Sequence, residues 1–167
     1  MKTPLILLCV AVPLWAAPPD PGLPAALKPT AENYERAMAE YEKTREAKID
    51  LARQNYLTVL GSMRTSLQRA KQQAQVDVLD AEIKAVKAGP LAAEVPAGLP
   101  VQLVTYRRQY LAAPEKAERE IAPLRRHTRE EYLRWLDGME AGARVGKDDA
   151  LAAGVEAERK RVRADAD

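Results

Sequence analysis

A chain of 167 residues is long enough for one domain core, and its formal net charge of only +2 gives no excess of cations for binding nucleic-acid phosphates. Its one cysteine, Cys9, excludes an intramolecular disulfide framework, and its one histidine, His127, lacks the His or Cys partners of a zinc site. The absence of phenylalanine favours narrow helical seams over a thick globular core.

The N-terminal segment, residues 1–16, has the organisation of a secretory signal peptide. Lys2 precedes an apolar run over residues 5–15, and small residues follow that run. The run is shorter than the ~20 residues that span a bilayer. We therefore expect cleavage after Ala16, a secreted or periplasmic mature chain, and a Pro-rich disordered segment over residues 17–29.

The next segment has an eleven-residue hydrophobic period, which predicts one long helix from about Ala31 to about Gln73, with Thr30 as a candidate N-cap. Steps of four, three and four residues correspond to about 3.67 residues per turn, close to a straight α-helix. Ten of the twelve visited positions are apolar or aromatic. These positions are Tyr34, Met38, Tyr41, Arg45, Ile49, Ala52, Tyr56, Leu60, Met63, Leu67, Lys71 and Ala74.

A shorter helix is predicted over residues 75–89. It places Val76, Leu79, Ile83 and Val86 on one face, and a Gly-Pro pair ends it. The following residues, GPLAAEVPAGLP, are rich in glycine and proline and are typical of a linker.

The pattern then recurs further along the chain at a constant offset in residue number. YLTVLGSM at residues 56–63 returns as YLRWLDGM at residues 132–139. A second long helix is therefore expected, in which Pro114 and Pro123 each predict a kink or a short break. Its stripe is Leu99, Leu103, Tyr106, Tyr110, Pro114, Ala117, Ile121, Arg125, Thr128, Tyr132, Leu136, Met139 and Ala143.

A second short helix follows over residues 150–162, with Asp148 or Asp149 as its cap. The predicted fold is all-α: two tandem αα-hairpins, each a long helix, a tight turn and a short antiparallel helix, with coiled-coil-like packing. The hairpins are expected over residues 30–89 and 101–167, with residues 90–100 as the linker.

The run ARVGKDDALAAGVEAERKRV resembles the hairpin turn of secreted helical-hairpin repeat proteins of environmental bacteria, whose function is unassigned. That family carries Pro-[Leu/Ile] and a Tyr-x-x-x-Leu pair upstream of its turn. Here Pro123 and Leu124 precede Tyr132 and Leu136, with a longer spacer. The Gly-Asp of the family's turn is replaced by Lys147-Asp148 and, in the first copy, by Lys71-Gln72. The resemblance implies a helical hairpin fold and a secreted protein, and it implies no activity.

No catalytic, cofactor-binding or metal-ligating residues are predicted. The sequence has no nucleophile elbow, P-loop or dinucleotide fingerprint. The carboxylates of Asp148, Asp149 and Glu156 lack the spacing of a calcium loop and are typical of helix caps. We therefore expect a structural or protein-interaction module without enzymatic activity. The alternative is a periplasmic chaperone-like holder of client proteins.

A short helix of ~14 residues cannot cover the stripe of a helix three times its length. Either the two long helices pack on each other, or a protein partner or second copy covers the remainder. Self-association or a helical partner is favoured, because the two prolines are expected to bend the second helix. The candidate interaction residues are Tyr34, Met38, Tyr41 and Ile49 in the first copy and Leu103, Tyr106, Tyr110 and Trp135 in the second.

Overall fold

The computed structural model describes residues 22–165, and these residues form four helices joined by turns and a linker. The helices are α1 (Lys28–Arg69), α2 (Gln73–Ala88), α3 (Val101–Gly146) and α4 (Asp149–Ala164). α1 packs antiparallel on α2 and on α3, and α3 packs antiparallel on α4. The predicted all-α fold of two hairpins, each a long and a short antiparallel helix, is therefore confirmed. The predicted signal peptide, residues 1–16, lies outside the described residues.

The described residues divide into two compact units. The terminal unit combines residues 22–39 with residues 129–165, and the central unit is Glu40–Thr128. α1 and α3 each contribute residues to both units. Each unit therefore holds one helical hairpin and a segment of the other long helix.

The central unit has its own core at the hairpin of α1 and α2. Leu60 of α1 and Leu79 and Val86 of α2 are fully buried, and Leu103 at the beginning of α3 packs against them. Tyr110 of α3 stacks on Tyr56 of α1, with ring centroids 5.6 Å apart. The segment of α3 that precedes the second hairpin thus completes the first hairpin's core.

The terminal unit is built from the corresponding parts. Leu136 of α3 and Val155 and Val162 of α4 are fully buried, as is Leu27, which lies just before α1. Tyr34 stacks on Tyr132, with ring centroids 4.5 Å apart. Residues 22–29 belong to the segment that was predicted to be disordered; here they form a turn and the beginning of α1.

This arrangement answers the question of what covers the long stripes. Among the predicted stripe residues, Tyr34, Tyr110 and Leu103 each pack against the other long helix or its hairpin within one chain. Packing of α1 on α3 is thus the alternative that the structure contains. Because the two long helices cover these residues within one chain, the stripes by themselves do not require a second copy or a partner.

The two arginines on the stripes form one ion-pair network in the central unit. Arg45 of α1 lies 2.7 Å from Glu42 and 3.0 Å from Glu118 of α3. Arg125 of α3 lies 3.2 Å from Glu42 and also pairs with Glu118. Each arginine bonds one carboxylate on each long helix. Because all four side chains are partly exposed, we expect a modest contribution to stability.

α3 runs without interruption from Val101 to Gly146, so the predicted break at Pro114 or Pro123 is wrong. Both prolines lie on the exposed side of the helix. Water can therefore reach the carbonyl group that each proline leaves without an amide donor. The pairing of α3 with α1 supplies the apolar contacts that offset the lost hydrogen bonds.

Both long helices end in the same kind of turn. The amide of Asp148 donates to the carbonyl of Ala143 (2.9 Å), and the amide of Lys147 donates to that of Arg144 (3.2 Å). This pair of bonds is a Schellman motif. Lys147 has φ 56°, and Lys71 after α1 has φ 59°. Of the two candidate caps of α4, Asp148 and Asp149, the structure uses Asp148, whose side chain accepts from the amide of Leu151 at 2.9 Å.

Lys147→Gly is expected to raise the free energy of unfolding by up to about 1 kcal/mol, because a lysine in the left-handed region has a steric cost that glycine avoids. Lys71→Gly is expected to behave alike. Denaturant unfolding measures both changes. Lys116→Gly, inside α3, is the control and is expected to lower stability by a similar amount. A loss of stability from both turn variants would contradict the role given to these backbone angles.

Candidate functional site

The central unit contains a buried cluster of three polar side chains. The hydroxyl of Tyr56 donates to Oε1 of Glu82 at 2.9 Å, and Nε of Arg107 donates to the same oxygen at 2.9 Å. All three residues are at most 3% exposed. α1, α2 and α3 thus each contribute one member to a cluster around a carboxylate that water does not reach.

The remaining donors of Arg107 bind the linker. Its terminal nitrogens donate to the carbonyl oxygens of Ala92 at 2.9 Å and Ala93 at 3.3 Å. The guanidinium therefore joins α2, α3 and the linker in one set of hydrogen bonds. A buried arginine with partners of this kind serves to hold elements together.

The terminal unit contains a cluster of the same type. The hydroxyl of Tyr132 donates to Glu158 at 2.9 Å, and Arg161, one turn along α4, donates to both oxygens of that carboxylate. Both tyrosine–glutamate pairs are separated by 26 residues, and both members of the second pair follow those of the first at the same offset in residue number. Arg161 also bonds Glu35 of α1.

The two clusters differ in where the cation is placed. At the offset that separates Tyr56 from Tyr132, Ala31 of the terminal unit stands in register with Arg107, and Ala85 of the central unit stands in register with Arg161. In the central cluster the arginine lies on α3 and the glutamate on α2, whereas in the terminal cluster both residues lie on α4. Each buried glutamate therefore has one arginine partner, but the arginine occupies a different position in each cluster.

Burial and the neighbouring glutamates hold both tyrosines in the neutral form. Burial, followed by the hydrogen bond to Glu82, raises the pKa of Tyr56 well above its ordinary value, and burial followed by the hydrogen bond to Glu158 does the same for the pKa of Tyr132. Burial is also the main reason that the pKa of Tyr34 is raised. None of these hydroxyls is suited to proton transfer near neutral pH.

The protein is therefore expected to lose stability above about pH 10, where tyrosines ionise in the unfolded chain but remain protonated in the folded one. Since the folded pKa is the higher one, this stability is present below about pH 10 and is lost as the pH rises. Ultraviolet titration of phenolate should show delayed ionisation that coincides with unfolding. Tyr56→Phe and Tyr132→Phe should each reduce the delayed amplitude. If all tyrosines ionised while the protein stayed folded, the burial of Tyr56 and Tyr132 in these clusters would be contradicted.

The eight predicted interaction residues have different environments. Tyr34 and Leu103 are buried, Tyr110 and Ile49 are half-buried, and Met38 packs at the edge of the terminal core. The hydroxyl of Tyr41 hydrogen-bonds to Thr128 at 3.0 Å. Trp135 stacks on Tyr132, with ring centroids 5.8 Å apart. Of the eight, Tyr106 alone is classed as exposed, at 45%.

Tyr106 lines a groove of about 820 Å³ between α1 and α3 of the central unit. Leu51, on the α1 side, is 58% exposed, and Val59 and Tyr110 lie deeper. The amino groups of Lys48 and Lys116 lie along the rim, where Lys48 pairs with Glu120 at 2.7 Å. The remaining lining residues are Ala52, Asn55, Tyr56, Thr58, Gln109, Ala112, Ala113 and Ala117.

Sequence reasoning placed Tyr56 and Tyr132 on the apolar stripes but missed their buried partners Glu82, Arg107 and Glu158. It also missed the exposed Leu51. The predicted face of α2 contained Ile83, whereas the structure buries Glu82 more deeply. One signal could have found the glutamates. The phrase that repeats at Tyr56 and Tyr132 is followed, 26 residues after the tyrosine in both copies, by a glutamate within an otherwise apolar face.

Within residues 22–165, no helix is both long and apolar enough to cross a membrane. In the same part of the chain, His, Cys, Asp and Glu side chains form no group of three that could hold a metal ion. No protein-family model, curated protein or solved structure matches the sequence.

Proposed function

We propose that this protein is a non-enzymatic helical module that binds another protein through the groove of the central unit. The observation that carries the proposal is the pair of exposed side chains, Leu51 and Tyr106, on opposite walls of a groove with apolar and small residues between them. A cleft of this volume, lined mostly by apolar and small side chains with a few polar groups, is a common form of binding site.

The buried polar groups support a structural role for the rest of the molecule. Glu82 accepts from a tyrosine and an arginine and is 3% exposed, so a substrate has no access to it. Glu158 is similarly buried and bonded. Catalytic carboxylates need contact with the reacting atoms. These glutamates instead fix the positions of the helices to which they bond.

Site-specific photocrosslinking in the producing cell tests this function. A benzoylphenylalanine side chain at position 106 is expected to form an adduct with a partner, which mass spectrometry identifies. The matched control is position 145, because Val145 is also on α3, is 87% exposed and lies outside the groove. Equal yields of adduct at positions 106 and 145 would contradict binding of the partner through the groove. Adducts with many unrelated unfolded proteins would favour the chaperone-like holder.

We also propose that the chain consists of two sequence repeats, the first beginning at Gly22 and the second at Gly98. Support comes from Gly-Leu-Pro at both sites, from the tyrosine pairs that stack, and from the two Tyr–Glu hydrogen bonds, all of which keep the same offset between the copies. In each copy the first segment packs against the other copy's hairpin.

The proposed location is outside the cytoplasm, in keeping with the signal-peptide pattern of residues 1–16. The mature protein is expected to begin near Ala17. Intact-mass measurement on the cell-envelope and culture fractions decides this. An uncleaved N-terminus, or a lipid adduct on Cys9, would contradict the proposed processing.

A further inference from the structure

The groove has the dimensions of a short helix. Its lining residues run from Lys48 to Val59 along α1 and from Tyr106 to Glu120 along α3. At a rise of 1.5 Å per residue these stretches are about 16 and 21 Å long. A helix of about 11–14 residues has the same length.

The floor of the groove permits close approach of another backbone. Ala52 of α1 and Ala112, Ala113 and Ala117 of α3 all line it. Small side chains between two helices leave a furrow into which the larger side chains of a third helix fit. Leu51 and Tyr106 stand on the two sides of this furrow and would contact the flanks of the occupant.

The backbone in this region excludes an added β-strand. Every residue that lines the groove belongs to α1 or α3, so its amide and carbonyl groups serve the helices themselves. A peptide strand binds by hydrogen bonds to a free sheet edge, and none exists in residues 22–165. In a symmetric pair of copies the groove of one chain would face the groove of the other. Two concave surfaces that face each other leave an unfilled space, so a symmetric dimer does not fill this groove.

The two ends of the groove differ in charge. Lys48, Lys116 and Glu120 share one end, whereas Asn55 and Gln109 lie toward the other. Lys48 pairs with Glu120 at 2.7 Å, and Lys116 also interacts electrostatically with Glu120, so two lysines share one carboxylate at this end. The lysine end therefore carries an excess positive charge that complements an acidic group.

We infer that the groove binds an amphipathic helix of a partner protein, about 11–14 residues long, which inserts its apolar face and places a carboxylate beside Lys116. This inference rests on the proposed function and names the partner's binding element. The helix would lie along α1 and α3 and cover Leu51 and Tyr106.

A synthetic peptide tests the inference on the full mature chain. The probe is a fluorescently labelled peptide of about 14 residues with leucines at helical spacing and glutamates in its first turn. Anisotropy titration is expected to show saturable binding. Leu51→Asp is expected to weaken it at least about tenfold. Leu124→Asp is the matched control, because Leu124 is 47% exposed on α3 outside the groove, and it should leave binding unchanged.

Charge reversal gives a second, independent readout. Lys116→Glu should weaken binding of the acidic peptide and strengthen binding of a peptide with lysines in place of its glutamates. A peptide of the same composition with dispersed leucines should not bind. Melting temperatures of all variants show that each one folds.

Three results would overturn the inference. These are absence of peptide binding to the wild-type protein, equal loss from Leu124→Asp and Leu51→Asp, and tighter binding of a proline-rich peptide. A dimer of the free protein that Leu51→Asp dissociates would assign the groove to a second copy. If the peptide does not bind but position 106 still crosslinks specifically to a partner, the inferred helical occupant is wrong and the proposed function stands. If the peptide does not bind and position 106 does not crosslink, both the inference and the proposed function are wrong.

Discussion

Arg107→Ala is expected to lower the free energy of unfolding by about 3–5 kcal/mol, the range for breaking a buried ion pair. The substitution leaves the carboxylate of Glu82, which is 3% exposed, without its cation. It also leaves the carbonyl oxygens of Ala92 and Ala93 without their donor. Denaturant unfolding measures the change. Arg108→Ala is the matched control, since Arg108 is the exposed neighbour.

The terminal unit suggests a second substitution that should compensate for Arg107→Ala. Ala85 occupies the position that corresponds to Arg161, one turn after the glutamate, and it is exposed. Adding Ala85→Arg to Arg107→Ala is therefore expected to restore part of the lost stability, because Arg161 neutralises Glu158 from that position. The linker contacts would not be restored. If Arg107→Ala cost no more than Arg108→Ala, the buried ion pair would have no structural role.

Leu60→Ala and Leu136→Ala are each expected to cost about 2–4 kcal/mol, because each removes a fully buried leucine from a core that cannot collapse completely. The two residues occupy equivalent places, one in the central core and one in the terminal core. Thermal or denaturant unfolding tests both.

Arg64→Ala is the control for the leucine variants. Arg64 pairs with Asp80 at the surface, where solvent screens the interaction, so Arg64→Ala is expected to leave the melting temperature nearly unchanged. An unchanged melting temperature for Leu60→Ala would mean that the eleven-residue register does not describe the buried face of α1.

The sequence alone determined the local features of the fold. An eleven-residue hydrophobic period predicted both long helices, since side chains spaced by three and four residues share one helical face. Gly89 and Pro90 marked the end of α2, and Asp148 marked the beginning of α4. These signals involve residues close together in the chain, so propensity and spacing are sufficient to identify them.

Only the tertiary structure decided which segments meet. Tyr34 stacks on Tyr132 and Arg107 binds Glu82, and neither pair follows from spacing along one helix. A single stripe can be covered by any complementary face, so periodicity leaves the partner open. For the same reason the burial of Glu82 could not be predicted. Its sequence context is typical of a surface residue, and only the tertiary structure places Tyr56 and Arg107 beside it. Burial of a charge is stable only when its partners arrive together, and the members of this cluster lie on three different helices.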